Sequence, residues 1–282
     1  MTLTQVYLQG KRLLTESGID SPAFDAMCIF KFCFGMGRQG LILHGSNIAD
    51  GKKSAKFFEM IDQRSKRRPL QYIIGAWEFM GVEFKVGEGV LIPRDDTEVL
   101  VSEILALTKT IKKPKLLDLC AGPGTIAITF AKRRVDASVF ALELSEVALK
   151  YLQQNINLNA VKNVTPLPFD VLFDADKFNF DGFDIIVSNP PYIATSELKR
   201  LQKEVLNEPL MALDGGSDGL MFYRAIAENW AKFLSPGGHL CVEVGFDQAF
   251  AVLDIFKSAG LDSIEIIRDL NGINRVVIAK KL

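Results

Sequence analysis

From Lys115 onward, short apolar segments alternate with helical ones, and this rhythm restricts the fold more than any other feature of the chain. The segments 116–120, 138–144, 164–170, 183–188, 239–244, 264–267 and 275–279 read as strands. Apolar strands separated by helices imply a mainly parallel sheet covered on both faces. Residues 268–274 are too few for a crossover helix, so the last two strands are predicted to run antiparallel. The expected class is α/β, with a doubly wound, Rossmann-like sheet that ends in a hairpin.

The 282 residues leave room for more than this sheet, enough for a main domain of roughly 180 residues and a smaller one. Residues 1–68 read as helices. Leu3, Val6, Leu13 and Leu14 share one face, and Ser21-Pro22 resembles an N-cap followed by proline in the first turn. Phe30 with Phe34, then Phe57, Phe58 and Ile61, mark further apolar stripes, and the basic run 64–68 reads as a solvated helix end. Tyr72, Ile74, Val82, Phe84 and Val86 then alternate around Met80-Gly81, which signals a hairpin. Asp96 or Thr97 is expected to cap a helix that buries Val99, Leu100, Ile104 and Leu105. The predicted domains are 1–68 (helical), 69–94 (hairpin linker) and 95–282 (sheet).

Composition narrows the partners. Hydrophobic residues make up 48% and charged residues 24%, which allows a sizeable core without disulfides or metals. A net charge of −1 and a pI of about 6.2 offer no excess of cations for a nucleic-acid duplex, so none is expected as partner. Cys28, Cys33, Cys120 and Cys241 form no C-x-x-C pair and His44 is far from His239, so no metal site is expected. No signal-peptide pattern or apolar run of about 18 residues occurs, so the expectation is a cytoplasmic protein away from membranes.

The segment 116–120 runs into Ala121-Gly122-Pro123-Gly124, at the carboxyl edge where sheets of this kind bind ligands. Cys120, Ala121, Gly122, Pro123 and Gly124 thus become candidate cofactor contacts. The pattern Gly122-x-Gly124-x-x-Ala127 also fits a dinucleotide fingerprint, so NAD and S-adenosylmethionine both remain open on the loop alone. Glu143, about twenty residues on, can accept both ribose hydroxyl protons of an adenosine. Asp170 can accept from an adenine amino group with Val171 donating its N–H, or can simply cap its own loop.

The segment 183–188 delivers Asn189-Pro190-Pro191-Tyr192 to the same edge. The Asn189 side-chain oxygen and the Pro190 carbonyl can each accept one N–H of a planar NH2 group. Pro190 has a fixed φ and Pro191 restrains its ψ, so that carbonyl is aimed before substrate arrives. Tyr192 can lie against the flat face of the group. An amide nitrogen is a poor nucleophile and needs this kind of orientation. The motif favours S-adenosylmethionine over NAD, but glutamine, adenine, cytosine and guanine all present such a nitrogen.

Further motifs accompany it: Gln71-Tyr72-Ile73-Ile74-Gly75, Leu91-Ile92-Pro93-Arg94-Asp95-Asp96-Thr97-Glu98, Glu208-Pro209 before Ala212-Leu213, and 272–275. With these motifs the chain resembles, over nearly its whole length, the bacterial release-factor glutamine methyltransferases, the PrmC/HemK group. The resemblance implies a Rossmann-like S-adenosylmethionine-dependent methyltransferase sheet with a small N-terminal helical domain joined by a β-hairpin. It also implies class 1 peptide-chain release factors as partners, with the glutamine of their Gly-Gly-Gln loop as substrate and the helical domain as the recognition surface. By the same resemblance, the cofactor contacts fall on Cys120 to Gly124, Glu143, Val171 and Asn189, the substrate clamp falls on Asn189 to Tyr192, and Arg94 and Thr97 lie near the methionine end of the cofactor. Cys120-Ala121 stands where Gly-Thr is common in the family, and Pro123 separates the glycines. The alternatives are an amino-methyltransferase acting on a flipped base, and a non-catalytic module that retains the fold.

Overall fold

The computed structural model describes residues 1–282 and separates them into two units: Met1–Ala76 with Gln202–Asn207, and Trp77–Leu201 with Glu208–Leu282. The first is helical, with α1 (Leu3–Glu16), α2 (Pro22–Phe34), α3 (Arg38–His44), α4 (Gly51–Ser65) and α5 (Leu70–Ile74). Thr2 and Gln5 close a capping box on α1, and Asp50 caps α4 through the Lys53 N–H. Gly10 lets α1 approach α4 closely, because a Cβ there would lie 2.5 Å from the Phe57 ring. No single helix in the chain is long and apolar enough to cross a membrane.

The basic run is not the solvated end that its composition suggests. Arg64 is buried, donates to Asp25 at 2.7 Å and to Glu204 at 3.0 Å, and Arg67 reaches the same Glu204 oxygen at 3.2 Å. The side chain turns inward because a buried carboxylate, Asp25, needs a cation. Tyr72 and Ile74 are also not hairpin residues. They lie in α5, which starts after Pro69 and ends at Gly75 with φ 79°.

In the second unit, β1 (Ala76–Phe79) and β2 (Val82–Lys85) form the hairpin, turning through Met80 and Gly81, both at positive φ. Then follow α6 (Thr97–Leu107), β3 (Lys115–Leu119), α7 (Thr125–Arg133), β4 (Ser138–Glu143), α8 (Glu146–Leu158), β5 (Val164–Pro168) and β6 (Phe183–Ser188). After the turns at 198–212 come α9 (Met221–Ala225), β7 (Leu234–Glu243), α10 (Ala249–Ser258), β8 (Asp262–Arg268) and β9 (Asn274–Lys280). The seven-stranded sheet has the order β5-β4-β3-β6-β7-β9-β8, parallel except for β9, which runs antiparallel to both neighbours as expected.

One face of the sheet packs on α6, α7 and α8 through Leu100, Ile104, Phe130 and Leu152; the other packs on α9 and α10 through Tyr223, Val252 and Phe256. Burial on both faces explains why the strands read as apolar runs. The order reverses between β3 and β6, so the loops leaving their carboxyl ends diverge and open a crevice. Asp96 occupies the N-cap position of α6 without capping it, since its carboxylate pairs with Arg275 at 3.1 Å instead. That helix buries Thr97, Leu100, Val101 and Ile104, with Val99 and Leu105 only partly covered.

Helix α8 ends in a Schellman arrangement, with the Val161 N–H on the Ile156 carbonyl and the Ala160 N–H on the Asn157 carbonyl, both at 3.2 Å. Ala160 therefore sits at φ 52°, exposed, where glycine is unstrained. Ala160→Gly is expected to stabilise the protein by about 1 kcal/mol in urea denaturation. No gain would mean that this turn relaxes without strain.

Candidate active site

Three strand ends build the site. Strand β3 leads into Cys120 at φ 60°, Gly122 at φ 56° and Gly124 at φ 89°, a left-handed series that folds the loop back on itself. Cys120 thus occupies backbone that favours glycine. Burial pushes its thiol well up, so it remains protonated. Gly124 packs tightly, since a Cβ there would meet Leu152 at 2.5 Å and Ile128 at 2.7 Å. Gly122 faces open space.

Three side chains hold this loop: Asp118 and Asn155, both buried and neither singled out from the sequence, and Glu143, which was. Asp118 accepts the Ala127 N–H at 3.0 Å and so caps α7 from the neighbouring strand. Burial pushes its carboxyl up to about 8. Asn155 on α8 accepts the Lys85 N–H at 2.7 Å and donates to the Pro123 carbonyl at 2.9 Å, joining hairpin, helix and loop. Glu143, at the end of β4, accepts from the Gly122 N–H at 2.8 Å and the Ser145 N–H at 2.7 Å, which leaves lone pairs for further donors. Burial raises its pKa while those N–H groups oppose the shift.

At the end of β5, Asp170 caps its own loop by accepting the Leu172 N–H at 2.8 Å, and Trp230 fixes the next residue by donating to the Val171 carbonyl at 2.7 Å. Beyond β6, Asn189 donates from Nδ2 to the Thr97 hydroxyl at 3.1 Å, and that hydroxyl donates to the buried Glu243 carboxylate at 2.6 Å. Tyr192 is fixed by Gln248, which donates to its carbonyl at 2.8 Å, and its ring packs on the core beside α9. Glu208 accepts the Ile92 N–H at 2.9 Å and pairs with Arg94, which fixes the stretch 92–94.

These loops enclose a cavity of about 320 Å³, within the ~300–1,000 Å³ usual for small-molecule sites. Of the residues selected from the sequence, Arg94, Thr97, Cys120, Ala121, Gly122, Pro123, Glu143, Asp170, Val171, Asn189 and Pro191 line it. Gly124, Pro190 and Tyr192 are not among the residues that line it. An adenosine fits what is present: bare backbone at Gly122, a carboxylate with spare acceptor capacity at Glu143, and apolar walls from Ile126, Leu144 and Phe169. Glu243 left one trace in the sequence, as a carboxylate within the apolar run 240–244.

Fold and cavity together define an S-adenosylmethionine-dependent methyltransferase of the Rossmann-like class. Residues 5–75 match the family described as PrmC N-terminal domain, and residues 95–223 match the methyltransferase small domain. A release factor glutamine methyltransferase from Thermodesulfovibrio yellowstonii is 44% identical over 225 residues, covering 79% of this chain and 80% of the relative. The chain belongs to the release factor glutamine methyltransferase family. A second relative of that name, from Geobacter sulfurreducens, is 39% identical over 280 residues, covering 98% of this chain and 95% of its own. A methyltransferase structure from Pyrococcus furiosus shares the fold at a TM-score of 0.52 and 16% identity, covering 82% of this chain and 99% of that one. Membership of this family removes NAD as a reading of the glycine loop.

Proposed function

We propose that this chain methylates the side-chain amide nitrogen of the glutamine in the Gly-Gly-Gln loop of class 1 peptide-chain release factors, in the cytoplasm. The observation that carries the acceptor site is the Asn189 amide, whose nitrogen is committed to Thr97 and whose oxygen is thereby free to accept a substrate N–H. The Pro190 carbonyl takes the second N–H, with its direction restrained by two consecutive prolines. Tyr192 follows this turn, where its ring can lie against the flat face of the amide, and Pro191 lines the cavity.

S-adenosylmethionine, when bound, supplies an electrophilic methyl whose bond to sulfur breaks, leaving the electron pair on sulfur, as the new nitrogen–carbon bond forms. Glu143 would hold the ribose hydroxyls, Asp170 and Val171 would meet the adenine, and backbone from Cys120 to Gly124 would support the nucleoside. Arg94 and Thr97 would contact the methionine end. The amide nitrogen becomes strongly acidic on methylation, so water can take its proton and no side chain is assigned as base. The domain roles follow the same reading: residues 1–68 recognise the release factor, 69–94 link, and 95–282 carry the chemistry.

The test is incubation with methyl-labelled S-adenosylmethionine and, in parallel, unmethylated release factor, the same factor with its loop glutamine changed, and bulk DNA and RNA. Label on the unaltered factor alone is the expected result. Label on nucleic acid would keep the clamp and overturn the substrate. No transfer with cofactor still bound would leave a non-catalytic module.

A further inference from the structure

Strand β7 lies beside β6 with Val242 opposite Ser188, so Glu243 falls next to Asn189 at the mouth of the crevice. Glu243 is 2% exposed. Burying a carboxylate is unfavourable unless it is paired, and a hydrophobic side chain would fill this position more cheaply for packing alone. The carboxylate instead accepts from Thr97, and Thr97 accepts from Asn189.

A threonine hydroxyl has one proton. While Glu243 takes that proton, the atom of Asn189 facing Thr97 has to be a donor, so the amide NH2 points inward and its oxygen outward. With no acceptor at 243, the hydroxyl could donate to Asn189 instead, and the amide could turn its NH2 toward an incoming NH2 group. We infer that Glu243 is a positioning residue for methyl transfer, fixing through Thr97 the orientation in which the Asn189 amide meets the substrate nitrogen. This rests on the reading of Asn189 as the substrate acceptor.

The surroundings of Glu243 set a pH dependence. Burial pushes its carboxyl up to about 7, against the Thr97 hydrogen bond, Arg275 and Asn189, with Asp96 adding to the rise. Tyr192 also faces it, and the Tyr223 hydroxyl donates to its backbone carbonyl at 3.0 Å. A protonated Glu243 can donate to Thr97 and release the constraint.

Turnover with saturating release factor and cofactor, and cofactor Kd by calorimetry, test this. Glu243→Ala is expected to lower kcat about 10- to 100-fold with cofactor Kd within about threefold of wild type, and Thr97→Val, at the methionine end of the cofactor, to lower kcat by a similar factor. The double variant should lose little more than either single one, because both break one relay. Wild type should step down in rate as pH falls through about 7, and Glu243→Gln, which cannot ionise, should show no such step. Wild-type kcat in Glu243→Ala, retention of the step in Glu243→Gln, or loss of cofactor affinity in both would overturn the inference. Should Glu243→Ala fail to fold, the near-isosteric Gln variant carries the test. Normal methylation by Asn189→Ala would refute the acceptor reading itself. An inactive Asn189→Ala beside a fully active Glu243→Ala would refute only the role of Glu243.

Discussion

Asn189→Ala is expected to lower kcat by about 10²–10³-fold, the scale seen when one preorganised polar contact to a reacting group is removed. Saturable cofactor binding should persist, because the side chain lies at the end of β6 while the loop after β3 and Glu143 border other parts of the cavity. The loss should fall on kcat rather than on cofactor Kd, since the amide oxygen orients a nitrogen whose lone pair has to face the methyl group. Asn189→Asp should fare no better. A carboxylate cannot donate to Thr97, whose single proton already lies on Glu243, and it would bring a second anion beside a buried one. Transfer at the wild-type rate by either variant in the labelling assay would show that Asn189 does not clamp the substrate.

Arg64→Ala is expected to destabilise the helical unit by about 3–5 kcal/mol, the usual effect of leaving one member of a buried ion pair alone. Asp25 would then be buried without its cation, whereas Glu204 keeps Arg67. The sign with pH follows. An unpaired buried carboxyl has a folded pKa above its unfolded value, so the folded state binds the extra proton and the variant is relatively more stable in acid. Its deficit should therefore narrow as pH falls toward 4 and widen above it. Urea denaturation at about pH 4 and 7 measures this, and a deficit below about 1 kcal/mol at neutral pH would show that the triad adds little.

Much of the sheet could be read from sequence because both of its faces are buried. Apolar runs such as Phe183–Ser188 carry that signal along their whole length. Strand β7 was only half visible: Ser235-Pro236-Gly237-Gly238 resembles a turn, yet Leu234 pairs with Phe183 before regular pairing resumes at His239. Tyr72 and Ile74 misled because spacing by two residues in a segment of five fits one helical turn as well as a strand. The loops that line the cavity were legible because they follow strands directly. Their supports were not, since Thr97 meets Glu243 across 146 positions and Asn155 meets Lys85 across 70. Contacts of that span leave no local periodicity. Arg64 illustrates the same limit, because a helix-end arginine looks solvated until its distant carboxylates are known.

The segment Gln202–Asn207 belongs to the helical unit although both of its flanks belong to the other. During synthesis, Glu204 is added 140 residues after Arg64, the residue it pairs with, which at ~5–20 residues per second is a delay of roughly 7–28 s. Throughout that interval the leading helices have Asp25 as a partner for Arg64 but lack Glu204. The helical unit is thus completed only once residue 207 has been made, and a fragment ending at residue 76 would never be complete.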